Sequence, residues 1–227
     1  MDFQQGEVLL FDKELDWTSF DLVQKVRNQL CRMLGIKKLK VGHAGTLDPR
    51  ATGLMIVCTG KATSRIESLQ AGEKEYTATL KLGATTPSFD LETEENNWFE
   101  TGHINRELIL KVLPEFTGDL LQVPPVFSAV KVDGKRAYKH ARKGEEVVLA
   151  PRPVQIRELE LLDFSGNLAT LRVTCSKGTY IRALARDLGV ALNSGAYLVE
   201  LRRTRIGDAR VEDAMTVKFF LDNLNRL

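Results

Sequence analysis

The spacing of apolar and polar residues changes several times along this chain and predicts its elements. Lys74-Glu-Tyr-Thr-Ala-Thr-Leu-Lys-Leu82 alternates strictly, the mark of a half-buried strand. Short unbroken apolar runs at 7–11 and 54–58 predict inner strands. Residues 154–164 and 168–175 predict two long strands joined by the turn Ser165-Gly-Asn167, and 196–206 a further one. A short strand is expected at 146–149, broken by Pro151 and Pro153. Phe20, Leu22, Val23, Val26, Leu30 and Leu34 recur at helical spacing, with Thr18 or Ser19 to cap the start and Gly35 to stop the helix. Further helices are predicted over 60–70, over 105–113 with Pro114 as terminator, over 135–143, from the turn 176–179 to Leu192, and over 217–224. Pro124 and Pro125 hold 122–131 extended. Hairpins dominate, with helices inserted between them. The pattern predicts an α+β fold: a mixed, largely antiparallel sheet with flanking helices. No repeat, linker or boundary interrupts it, so residues 1–227 read as one domain.

Composition narrows the picture modestly. A hydrophobic fraction of 43% over 227 residues is that of a globular protein with an ordinary core. No apolar run approaches the roughly 18 residues of a membrane helix, and the N-terminus has no signal-like segment, so a cytoplasmic protein is expected. Cys31, Cys58 and Cys175 are far apart and form no ligand pair, and the histidines lack ligand spacing; no metal is expected. The net charge of +2 decides little. Its distribution says more. Basic clusters occupy 32–40, 131–143 and 201–205, the trace a phosphate-tracking face leaves. Each cluster alone is equally a solvated surface.

The densest local signal is the stretch 41–60. Gly42, Gly45 and Gly53 permit unusual backbone angles, and Pro49 pushes Asp48 toward an extended conformation. Asp48 is the only acid in this loop, which runs directly into a buried strand. A carboxylate so placed is either a turn-capping residue or a reactive group held by a rigid element. Elsewhere, Tyr76 early in its strand is a stacking ring or a core tyrosine. Arg182 in the first turn of a helix opposes the helix dipole and calls for a nearby carboxylate, for which Asp48 is a candidate. In 197–204, Leu201 offers an apolar pocket wall while Arg202 and Arg203 are candidates for phosphate contact.

Taken together these segments resemble one family. Gly42-His-Ala-Gly-Thr-Leu-Asp-Pro-Arg-Ala-Thr-Gly-Leu54 is similar to the signature of the TruB family of bacterial tRNA pseudouridine-55 synthases. The resemblance continues through Lys74-Glu-Tyr76, Val123-Pro-Pro-Val-Phe-Ser-Ala-Val-Lys131, Cys175-Ser-Lys-Gly-Thr-Tyr-Ile-Arg182, Gly195-Ala-Tyr-Leu198 and Leu201-Arg-Arg-Thr204, in the family's order. It implies a pseudouridine synthase fold with a basic arm inserted around 124–152. Asp48 then matches the catalytic aspartate, Tyr76 the base-stacking tyrosine and Arg182 the arginine that pairs with the aspartate. His43 matches the histidine that fills the T-loop when the target uridine flips out, and Leu201 the pocket leucine. Lys74, Tyr180, Arg202 and Arg203 are carried as further substrate contacts. The implied partner is the tRNA T-stem-loop, met by a monomer, with no cofactor, membrane or protein partner.

The chemistry fits these residue types. Pseudouridine formation breaks an N–C glycosidic bond, turns the uracil and rejoins it through C5. Positive character develops on the ribose, so a carboxylate can stabilise it, bond to the sugar or take a sugar proton. The target must leave the stack to be reached. The rival reading is a tRNA-binding or folding module without catalysis; a nucleoside hydrolase is a third. Three departures from the family pattern stand out. Asp12-Lys-Glu-Leu-Asp-Trp-Thr-Ser19 replaces the usual Asp-Lys-Pro-x-Gly-x-Thr-Ser, Phe127 replaces a common Tyr, and Thr85-Thr-Pro-Ser-Phe-Asp90 replaces a Thr-Asp-Thr-type segment. No C-terminal PUA-type RNA-binding module is expected.

Overall fold

The structure is a computed structural model; it describes all residues except 129, 133, 138, 139, 141, 142, 144, 146 and 225–227. In chain order the first elements are β1 (Val8–Lys13), α1 (Ser19–Met33), β2 (Val41–His43), β3 (Ala51–Thr59), α2 (Ile66–Ala71), β4 (Lys74–Leu82), β5 (Ala84–Thr85) and β6 (Asn97–Trp98). Then come α3 (Arg106–Val112), β7 (Gly118–Gln122), β8 (Lys131–Val132), β9 (Lys135–Arg136), β10 (Arg152–Ser165) and β11 (Leu168–Cys175). The last are α4 (Ile181–Ala191), β12 (Ala196–Ile206), β13 (Ala209–Arg210) and α5 (Val217–Asn223). The α+β expectation holds, and no helix among the described residues is long and apolar enough to cross a membrane. The chain forms two compact units, Met1–Tyr76 with Leu201–Leu227, and Thr77–Glu200. Strands β4 and β12 each run from one unit into the other.

In the first unit β3 lies between β1, which pairs with it antiparallel, and β12, which pairs with it in parallel. Being flanked on both sides, β3 is buried along nearly its whole length, as its apolar run requires. One face packs Leu54, Ile56 and Cys58 against Ala62, Ile206 and Val211. Helix α1 buries Leu22, Val23, Val26 and Leu30 and starts in a capping box, with Thr18 bonded to the Asp21 backbone and Asp21 to the Thr18 backbone. So Thr18 is the cap, and Ser19 is released for another task described below.

Gly53 marks the closest backbone approach in this unit. Its φ is 103°, and a Cβ there would lie 2.2 Å from the Arg203 carbonyl oxygen of β12. Gly53→Ala is therefore expected to cost about 3 kcal/mol or more in denaturant unfolding, because neither backbone can retreat without breaking the parallel pair.

The second unit orders its strands β4-β11-β10-β7, with antiparallel β10–β11 and β10–β7 pairs. Several boundaries differ from the sequence pattern. Pro153 does not break a strand but lies inside β10, opposite Leu121 of β7. The missing donor is tolerated because β11 pairs with β10 only from Ile156 onward, leaving one side of Pro153 unpaired. Residues 147–149 form no strand, and residue 146 lies outside the described residues. Helix α3 ends at Val112, just before Pro114 as expected, and Pro114 sits in the first turn of a following 3-10 helix, Leu113–Phe116, where its missing N–H has no partner to lose. The segment from Gly60 is 3-10 as far as Arg65 and becomes α-helical only at Ile66. Of the helix expected over 135–143, Lys135–Arg136 is a strand paired with Lys131–Val132, while 138, 139, 141 and 142 lie outside the described residues.

Candidate active site

The loop between β2 and β3 is held by buried polar groups that the rest of the first unit supplies. Ser19 Oγ, buried at the start of α1, accepts from the Leu47 amide at 2.8 Å and donates to the Leu47 carbonyl at 2.9 Å. Arg203 is 1% exposed. Its guanidinium donates to the carbonyls of Leu54 at 2.8 Å, Gly45 at 3.0 Å and Thr46 at 3.3 Å. The Ala51 amide closes the turn on the Asp48 carbonyl at 3.0 Å. Asp48 is thereby presented half-exposed, between a buried residue before it and the start of β3 after it. Leu201 lies opposite Ala51 in the β12–β3 register, which brings the expected pocket leucine to the same end of β3.

The turn before α1 joins the same loop. Asp16 has φ 64°, so it takes the left-handed conformation at the position where the family pattern has Gly. Its amide donates to the Pro49 carbonyl at 2.9 Å, and its carboxylate meets Arg50 at 2.9 Å. Asp16 thus takes the positive φ that a Gly would take without strain, and its carboxylate ties the turn to the Asp48 loop.

Lys13, on the inward face of β1, was legible in the sequence only as a strand end. Its side chain is fully buried, and Nζ donates to the carbonyls of Glu14 at 2.9 Å and Trp17 at 2.7 Å. Burial lowers its pKa to about 8, against the attraction of Asp48, the largest opposing influence. The Lys13 ammonium thus contributes positive charge to the surroundings of Asp48. Between about pH 8 and 10.5 the unfolded chain holds a proton that folded Lys13 has shed, so Lys13 makes stability rise with pH there. Relative to Lys13→Met, the wild type should gain up to about 3 kcal/mol across that window, read from denaturant unfolding at each pH.

His43 stands on β2 opposite Val57 and is half-buried. Burial first, then the Arg203 cation, lowers its pKa, so the ring is neutral at physiological pH.

The remaining expected site residues divide sharply. Tyr76 is 7% exposed, on a strand flanked by β12 and β11, so it is not at a sheet edge. Lys74 is buried, with Nζ on the carbonyls of Gln70 at 2.7 Å and Gly72 at 2.6 Å; its ammonium closes the end of α2 instead of facing outward. Arg203 is likewise internal, and the expectation of a phosphate contact gives way to a role in building the loop. Arg202 forms a two-pronged pair with Asp12, at 3.0 and 2.7 Å, and keeps 42% of its side chain exposed. Tyr180 packs on the cluster of Val130, Ala137 and Leu149, and its backbone exchanges hydrogen bonds with the Gln122 side chain. It anchors the base of the expected arm.

In the second unit Arg182 is 5% exposed at the start of α4. It donates to the carbonyls of Phe127 at 2.9 Å and Ser88 at 3.2 Å, and lies 3.5 Å from the Asp90 carboxylate. Phe89 between them adopts φ 60°, rare for a bulky residue, and Thr86 and Ser88 hydroxyls hold the Asp90 carbonyl. The carboxylate that α4 calls for is thus supplied, within this unit, by the segment that departs from the family's Thr-Asp-Thr type. Arg182 and the Asp48 loop belong to different units.

The mixed sheet and its loop with a single acid are in keeping with a pseudouridine synthase, and comparison with known proteins shows the class. The chain belongs to the TruB family: its residues 31–181 match the model of the TruB family pseudouridylate synthase N-terminal domain, and 182–226 that of the tRNA pseudouridylate synthase B C-terminal domain. It is 61% identical over 226 residues to a protein of Phocaeicola vulgatus named tRNA pseudouridine synthase B, covering 100% of this chain and 96% of that one. A protein of the same name from Flavobacterium johnsoniae is 50% identical over 224 residues, covering 98% of each. Among solved structures, a chain of a Cbf5-Nop10-Gar1 complex superposes with a TM-score of 0.73 at 30% identity, over 98% of this chain and 55% of that one. This chain therefore spans about half of that structural relative.

Proposed function

We propose that this protein is a tRNA pseudouridine synthase that isomerises the uridine at position 55 of the T-loop. The observation that carries the reading is the effort devoted to one loop. A buried serine, a buried arginine and a buried lysine all serve the backbone or the field around Asp48. A turn-capping aspartate needs none of these. Asp48 supplies negative charge at the reacting ribose while the N1–C1′ bond breaks and a C5–C1′ bond replaces it. The C5 proton leaves, N1 gains one, and no oxidant or nucleotide is consumed. Tyr76 stacks on the freed uracil, Leu201 walls the pocket and His43 fills the stack that the flipped nucleotide vacates. Arg182 meets Asp48 when the site is assembled and keeps its carboxylate oriented. The protein acts as a monomer in the cytoplasm, as a single catalytic domain whose arm around 124–152 closes on the RNA.

A tRNA transcript carrying tritium at uracil C5 tests this directly. Wild-type protein without added cofactor should release one equivalent of tritium to water per tRNA. Binding without release would make the protein a tRNA-binding module. Free uracil with its tritium retained would make it a hydrolase.

A further inference from the structure

A buried hydroxyl needs a partner inside the protein, because water no longer supplies one. Most buried serines and threonines of this chain have theirs. Ser19 donates to the Leu47 carbonyl, Thr86 and Ser88 to the Asp90 carbonyl, and Ser194 to the Glu100 carbonyl. Ser128 is different. It is 5% exposed, and among the described residues it is the one buried hydroxyl whose oxygen has no partner. Its neighbours belong to the proposed site. The carbonyl of Phe127, the residue before it, accepts from Arg182 at 2.9 Å, and Arg182 faces the Asp90 carboxylate at 3.5 Å. Val126 and Val130, two residues away on either side, pack with Tyr180 on one small apolar cluster. The approach to Ser128 is fixed as well. Pro124 and Pro125 restrict the backbone, and the Gln122 side chain bonds the Tyr180 backbone in both directions. The unpaired hydroxyl therefore sits at the base of the arm, in a well-held segment, one residue from the contact that positions Arg182.

From this we infer that Ser128 is a substrate contact, whose hydroxyl donates a hydrogen bond to a carbonyl oxygen of the flipped uracil. The contact rests on the proposed function and adds to it a group that recognises the base. A base edge suits this place better than a phosphate. A phosphate would bring charge into the interior, and Arg182 already faces Asp90. A neutral hydroxyl asks only for a neutral acceptor. The reaction also gives one fixed donor two uses. Turning the uracil about the line through N3 and C6 exchanges N1 with C5, and the C2 carbonyl with the C4 carbonyl. A carbonyl oxygen thus returns to the same place once C5 has come round to C1′. The same hydroxyl serves the base before and after its turn. Because the oxygen is covered in the free protein, the contact forms after the arm has moved to admit the nucleotide.

Ser128→Ala tests this through three readouts. Removing an unpaired hydroxyl takes no bond from the free protein, so Tm should be unchanged or rise by about 2–4 °C. Filter binding of tRNA should stay within about twofold, because phosphate contacts supply most of that affinity. Single-turnover release of tritium from C5 at saturating protein should slow about tenfold, the loss of one hydrogen bond to the flipped base. A lower Tm would mean that the hydroxyl has a structural partner, and would overturn the inference. So would an unchanged release rate. If the wild type releases no tritium, the proposed reaction itself fails; if it does and Ser128→Ala keeps pace with it, only the Ser128 assignment fails.

Discussion

Asp48→Asn is expected to abolish pseudouridine formation while leaving the protein folded and able to bind tRNA. The substitution keeps the side chain's shape, and the backbone bond from Ala51 to the Asp48 carbonyl does not depend on the carboxylate. Ser19 and Arg203 also act on the loop's backbone, so the loop survives. What disappears is the negative charge that the proposed reaction places beside the ribose. Removing a group that acts only in the transition state lowers kcat and kcat/KM together, here by at least about 10³-fold. Single-turnover tritium release measures the first, and filter binding shows whether affinity stays within a few fold. Because Asp48 also attracts the Lys13 ammonium, the variant should lower the Lys13 pKa further.

Arg203→Met lowers stability by about 3–5 kcal/mol, because three buried carbonyls lose their donor at once. At this chain length that corresponds to a fall in Tm of roughly 10 °C, read by calorimetry. Activity should drop even well below the new Tm, since the Gly45 and Thr46 carbonyls flank the loop that carries Asp48. Lysine at 203 should not rescue it: a single ammonium cannot reproduce a planar fork that reaches Leu54, Gly45 and Thr46 together. The neighbouring Arg202→Met is the contrast. Its pair with Asp12 is partly exposed, so its stability cost should stay within about 1 kcal/mol.

These adjacent arginines illustrate what sequence can and cannot convey. Alternation along β12 marks one as inward and one as outward only once the strand's register on β3 is known. Spacing alone therefore treated both as phosphate contacts. Lys13 and Ser19 escaped for the same reason: a lysine at a strand end and a serine after a cap have ordinary local explanations, and their long-range partners appear only in three dimensions. The elements themselves were largely legible. The strands 74–82 and 196–206 coincide with β4 and β12, and the helical period of 20–34 with α1. Errors gathered where proline or weak periodicity carried the reading, at Pro153 and 146–149. The strand Gly118–Gln122 escaped because its pattern is short and its Leu121 points to solvent at 75% exposure. Arg182's need for a carboxylate was readable from the helix dipole, and within its own unit Asp90 supplies one.

The Asp48 loop is proposed to isomerise one uridine of the T-loop. A nucleotide-resolution pseudouridine map of unmodified tRNA, before and after incubation with the wild-type protein alone, tests it most directly. A single new pseudouridine is expected, at position 55, that is absent after incubation with Asp48→Asn. An unchanged map with bound tRNA, or the same pseudouridine made by Asp48→Asn, would contradict it.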